Sequence, residues 1–120
     1  MAKIKCTYDF VIKSSPAILY NFLSTASGLS QWFADRVTED EKGFTFAWDD
    51  YTEKGEVLDD VESHYFRMKM ESNDVGEYLE FRIEKSEVTD DTILIITEFV
   101  EADEAKEQQK LWATQVDSLV

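Results

Sequence analysis

Residues 4–13 alternate: Cys6, Tyr8, Phe10 and Ile12 share one side of the chain, and Lys5, Thr7, Asp9 and Lys13 share the other. A period of two is the signature of a half-buried strand. The strand stops at Ser14-Ser15-Pro16. Ser15 suits a helix N-cap, and Pro16 suits the first helical position, where an N–H would have no partner anyway. Leu19, Phe22, Leu23 and Ala26 then recur at helical spacing. Ser27-Gly28 interrupts them, and Leu29, Trp32 and Phe33 form a second short apolar face. Two short helices with a bend between them are expected.

Period-two alternation returns after residue 36. Val37 begins a weak strand that turns at Glu41-Lys42-Gly43. Phe44, Phe46 and Trp48 then oppose Thr45, Ala47 and Asp49, and Asp49-Asp50 signals a turn. A strand around residues 52–61 carries Gly55, Val57 and Val61. In residues 65–71, Phe66, Met68 and Met70 oppose Tyr65, Arg67, Lys69 and Glu71. After Asn73-Asp74 and Gly76, Leu79, Phe81 and Ile83 oppose Glu80, Arg82 and Glu84. Asp90-Asp91 turns again into an Ile-rich strand over 92–100. Consecutive strands with short turns predict an antiparallel sheet of about seven strands, apolar on one face. Asp103 then offers a cap for a long helix, with Glu104 and Glu107 at its positive end. Its stripe is Ala105, Trp112, Val116 and Leu119, with Leu111 beside it. An apolar sheet face needs a cover, and this helix is the long element available. The expected class is α+β.

Composition narrows the partners. The chain has 120 residues, 43% of them hydrophobic, which suits one domain with a real core over 1–120. Its 26 acidic residues against 12 basic ones give a net charge of −14. Such a surface repels phosphate backbones, so nucleic acid is excluded as a partner, and anionic lipid surfaces are disfavoured. A basic partner protein fits the charge. Cys6 is the sole cysteine, which rules out an intramolecular disulfide, and a buried inert thiol is expected. The N-terminus lacks a signal-peptide core, and the Ile93–Ile96 run is too short for a membrane span. A soluble cytoplasmic protein is expected.

Several of these residues together resemble a known group. Ser15-Pro16, Leu19-Tyr20, Leu23, Leu29 and Trp32-Phe33-Ala34 resemble the opening motif of the START-like (SRPBCC) superfamily. The nearest branch is the homologues of the activator of the heat-shock chaperone ATPase. Phe44, Gly55-x-Val57 and the late helix with Trp112 carry the resemblance across nearly the whole chain. The sequence departs from that branch in three places. Tyr20 stands where Trp is frequent, Ala26-Ser27-Gly28 lacks a Pro, and none follows the Gly-x-Val strand. The last helix stops at Val120 without a capping Gly, short of the family's usual run, which suggests a truncated or frayed end. The resemblance implies a helix-grip fold: a curved antiparallel sheet wrapped on a long C-terminal helix, with two small helices after the first strand. It also implies a hydrophobic cavity between helix and sheet.

The candidate ligand-binding set follows from the inward phase of each strand. It comprises Tyr8, Phe10, Phe46, Trp48, Phe66, Met68, Met70, Leu79, Phe81 and Ile83, with Phe44 in the same phase. Phe33 joins it from the hinge, and Trp112 and Val116 from the last helix. A hydrophobic small molecule or lipid is the expected guest. A protein-interaction domain like the chaperone activator, and a cyclase-like enzyme, are the alternatives. Catalytic residues are not indicated: His64 is the sole histidine and has no nucleophile beside it, and Tyr8 and Asp9 are unsupported candidates. Neither metal-ligand spacing nor a cofactor motif occurs.

Overall fold

A computed structural model describes residues 3–119. Its elements are β1 (Lys3–Ile12), α1 (Pro16–Ser24), α2 (Ala26–Leu29), β2 (Arg36–Glu39), β3 (Gly43–Trp48), β4 (Tyr51–Val61), β5 (Tyr65–Met70), β6 (Leu79–Lys85), β7 (Thr92–Glu101) and α3 (Ala105–Val116). The strands form one antiparallel, seven-stranded sheet in the order β1-β7-β6-β5-β4-β3-β2. Six strands run as a meander, and β1 closes against β7 with Tyr8 opposite Ile96. The sheet is curved. A register shift between Val57 and Asp59 bends β4, and Gly55 lets Phe46, Met68 and Met70 close over its concave side. A Cβ on Gly55 would stand 2.9 Å from the Phe46 ring.

The concave face matches the alternation read from sequence. Phe46, Met68, Phe81, Leu94 and Ile96 are fully buried there, and Trp112 and Val116 cover them from α3. The helix itself is shorter than its stripe suggests. α3 has 12 residues, and Leu119 is buried from a separate 3-10 turn, Asp117–Leu119. Val120 lies outside the described residues. Asp103 does not cap the helix. It sits within a 3-10 turn over Ala102–Glu104, and neither that turn nor α3 has a side-chain cap bond at its start. The chain leaves β7 directly into this tight turn, so the extended N-cap geometry falls at Glu101.

The stretch after β1 differs from the expected helix–bend–helix. Ser15 caps α1 as read, accepting from the Ile18 N–H at 3.3 Å, with Pro16 in the first turn. The break, however, lies at Thr25 rather than at Ser27-Gly28. The Thr25 hydroxyl donates to the Asn21 carbonyl at 2.7 Å and accepts from the Gly28 N–H at 3.0 Å. One side chain thus ends α1 and starts α2. Gly28 lies inside α2 because α1 presses on it: a Cβ there would stand 2.2 Å from the Asn21 carbonyl oxygen. Trp32 and Phe33 lie beyond α2, in turns rather than on a helical face. Hydrogen bonds fix these turns. Trp32 Nε1 donates to the Phe22 carbonyl at 2.8 Å. The Phe33 carbonyl accepts from Trp48 Nε1 at 2.9 Å and from Gln115 Nε2 at 3.1 Å. The hinge is therefore pinned to β3 and α3 at a single carbonyl, and its large apolar residues close one end of the sheet.

Candidate functional site

Between the concave sheet and the N-terminal half of α3 lies a cavity of about 230 Å³. Its apolar wall is Phe33, Trp48, Met70, Leu79, Phe99 and Trp112. The Phe33 and Trp112 rings lie 5.9 Å apart and almost parallel, at 10°. Phe33 also meets Trp48 edge-on at 5.5 Å, so the aromatic wall is continuous across hinge, sheet and helix. Three further hollows are larger: about 380 Å³ beside β3–β5, about 400 Å³ between the hinge, Trp48 and the C-terminal half of α3, and about 330 Å³ where the end of β1 meets the β6–β7 turn. The first has Phe44, Gly55 and Met70 at its floor, inside a rim of Asp40, Lys42, Lys54, Glu56, Lys69 and Glu71.

Charge enters the cavity from two positions. Glu98 of β7 and Glu53 of β4 both line it, with relative exposures of 9% and 6%. Glu98 Oε2 accepts from Trp112 Nε1 at 2.9 Å and from Gln108 Nε2 at 3.1 Å. Glu53 Oε2 accepts from the Ser72 N–H at 2.8 Å and its hydroxyl at 2.6 Å, and Glu53 Oε1 accepts from the Tyr51 hydroxyl. That bond pushes the Tyr51 pKa up to about 12, with burial adding to it. Beside Glu98 lies the buried Tyr8 hydroxyl, which has no partner at full hydrogen-bond geometry although the Glu98 carboxylate and the Cys6 thiol are close enough to interact with it. Burial first, and the Glu98 charge second, hold its pKa far above the ordinary tyrosine value.

The convex face shows how the chain treats a buried carboxylate elsewhere. Glu80 of β6 is 5% exposed, yet Arg67 and Arg82 both reach it, the latter at 3.2 Å. Burial pushes its pKa up, but the bonds from the two arginines outweigh that and hold it below the usual carboxylate range. Arg67 also lies 4.4 Å over the Tyr78 ring, and Arg82 lies 4.8 Å over Tyr65. Among the described residues, Glu53 and Glu98 have no such cation.

The thirteen residues proposed from sequence separate into three groups. Phe33, Trp48, Met70, Leu79 and Trp112 line the cavity. Phe46, Phe66, Met68, Phe81, Ile83 and Val116 are packed in the core, as are Phe44 and Tyr8, and the Tyr8 hydroxyl lies behind Glu98 rather than in the cavity lining. Phe10 is half-buried at the core margin. Cys6 is also half-buried rather than enclosed. His64 is exposed in the β4–β5 turn. Glu53, Ser72, Tyr78, Glu98, Phe99 and Gln108 escaped the sequence reading. A signal existed for two of them: Glu98 follows Leu94 and Ile96 in the inward phase of β7, and Glu53 shares the phase of Gly55 and Val57. An acid in an apolar phase marks a buried carboxylate, where solvation alone would have put it on the other face.

Comparison with known proteins agrees with the fold. A solution structure of the Bacteroides fragilis protein BfR322 is 33% identical, with a TM-score of 0.70, covering 99% of this chain and 90% of that one. The Aha1 dimer from Colwellia psychrerythraea, also a solution structure, is 20% identical, with a TM-score of 0.79, covering 97% of this chain and 92% of that one. A conserved protein of unknown function from Enterococcus faecalis, EF2215, is 19% identical, with a TM-score of 0.70, covering 98% of this chain and 70% of that one. No curated protein matches the sequence. Among the described residues, no helix is long and apolar enough to cross a membrane. The model of the START-like superfamily domain matches residues 1–120, and with the curved seven-stranded sheet gripping α3 this establishes that the chain belongs to the START-like superfamily.

Proposed function

We propose that the protein is a binding module for a small hydrophobic molecule, held between the sheet and α3. The observation that carries this reading is the cavity of about 230 Å³ walled by Phe33, Trp48 and Trp112. Elsewhere the concave face is filled: Phe46, Phe81, Leu94 and Ile96 have no exposure at all. The cavity opens where three elements meet and the Trp48 and Trp112 rings are pinned by hydrogen bonds. Its volume falls below the ~300–1,000 Å³ of pockets for drug-sized ligands, which favours a compact guest over a full lipid. Affinity would come from apolar area at roughly 25 cal/mol per Å² buried, and orientation from the few polar groups at the wall.

Native mass spectrometry of protein purified from cells under mild conditions tests this. The expected result is a retained adduct of low mass that disappears when Leu79→Trp fills the cavity. A chain that carries no adduct, and shows no saturable shift with any compact aromatic probe, ends the reading. The acidic exterior, with its net charge of −14, would then direct the search to a basic protein partner.

A further inference from the structure

Three glutamates of this chain are nearly out of solvent, and they are not treated alike. Glu80 is clamped by two arginines on the convex face. Glu53 and Glu98 have neutral donors and no cation among the described residues, and both line the same cavity. Removing a carboxylate from water costs several kcal/mol unless a positive charge or full hydrogen bonding compensates it. Each carboxylate offers about four lone-pair positions, and the donors named above leave some of them unused. Tyr8, 6% exposed, lies behind Glu98 outside the cavity lining, and the Glu98 carboxylate and Cys6 thiol are close enough to interact with its hydroxyl. The remaining wall is aromatic, with Trp48, Phe33 and Trp112 presenting rings to the same space. Faces of Trp and Phe attract cations in desolvated sites.

We infer that the guest is a compact organic cation, an amine on an aromatic or alkyl body, with its ammonium group held by Glu53 and Glu98. The apolar body lies against Phe33, Trp48 and Trp112. The ammonium supplies the positive charge and the N–H donors that the two carboxylates lack. The net charge of −14 raises the local concentration of cations and repels acidic analogues. This inference rests on the proposed cavity-binding function and adds the charge of its ligand.

Three probes of one shape separate the two ideas: tryptamine, neutral 3-ethylindole and anionic indole-3-propionate. Each is titrated at neutral pH into the full chain and followed by backbone amide NMR shifts. Tryptamine is expected to bind at least tenfold more tightly than 3-ethylindole, with shifts centred on cavity residues, and the anion is expected not to bind. Glu53→Gln and Glu98→Gln should each erase most of that preference. A highly acidic surface attracts any amine weakly, but one buried charge fewer leaves that outer field nearly unchanged. A preference that survives in both Gln variants therefore overturns the inference. Equal binding of tryptamine and 3-ethylindole also overturns it, while leaving the apolar cavity function standing. If none of the three perturbs the cavity residues, both fall together. The comparison of probes in the unmodified chain needs no variant, so a misfolded Gln protein cannot obscure it.

Discussion

Replacing Trp112 with Phe isolates the bond that ties α3 to β7. The indole Nε1 donates to Glu98 Oε2 at 2.9 Å, and the two side chains have relative exposures of 5% and 9%. A hydrogen bond to a charged acceptor contributes about 1.5–3 kcal/mol net. Phe keeps a ring to stack on Phe33 and to edge onto Phe81. The lost ring volume adds about 1 kcal/mol. Trp112→Phe is therefore expected to cost roughly 2.5–4 kcal/mol, a large part of the ~5–15 kcal/mol that holds such a domain folded. Urea unfolding followed by far-UV circular dichroism reads this directly. With a slope of about 1–3 kcal/mol per molar, the midpoint should fall by roughly 0.8–4 M. The decisive arm is a double-mutant cycle with Glu98→Gln. Gln still accepts, but a bond between neutral groups contributes only about 0.5–1.5 kcal/mol, so the Trp112→Phe penalty should shrink by about 1 kcal/mol in that background. Penalties that add within ~0.5 kcal/mol would show that the indole bond is not charge-assisted, and the account of this corner of the cavity would be wrong.

Other outcomes follow from the same geometry. Gly28→Ala should cost about 1–3 kcal/mol by thermal unfolding, because its methyl group meets the backbone of α1; an unchanged melting temperature would show that α1 and α2 separate freely. Tyr8→Phe removes a buried hydroxyl without a partner, so the ligand-free chain should keep its stability or gain up to ~1–3 kcal/mol, and a loss above 1 kcal/mol would reveal a bond the structure lacks. The Glu80 pKa is lowered from its ordinary value of 4.5, so its stabilisation is complete above about that pH and is lost as pH falls through the folded value. Glu80→Gln should therefore unfold at lower urea than the parent at neutral pH but show a shallower loss between pH 5 and pH 2; parallel acid limbs would remove Glu80 from the account.

The alternation of Phe44, Phe46 and Trp48, of Phe66, Met68 and Met70, and of Leu79, Phe81 and Ile83 sufficed to place the strands, their turns and their buried faces. These are local consequences of a two-residue period, and the sequence carries them without help. So are the Ser15 cap and the stripe that presents Trp112. The hinge was less legible, because Thr25 bonds backward and forward at once and Gly28 is required by a neighbour seven residues away. The cavity was least legible. Which inward aromatics fill space and which bound it depends on the curl of the sheet and the angle of α3, and neither is encoded in any one strand. Glu53 and Glu98 lie 45 residues apart on different strands, and only closure of the sheet over α3 brings them to one cavity. Periodicity is a short-range property and fixes the elements; desolvation of two carboxylates is a property of the assembled volume, which the tertiary structure alone decides.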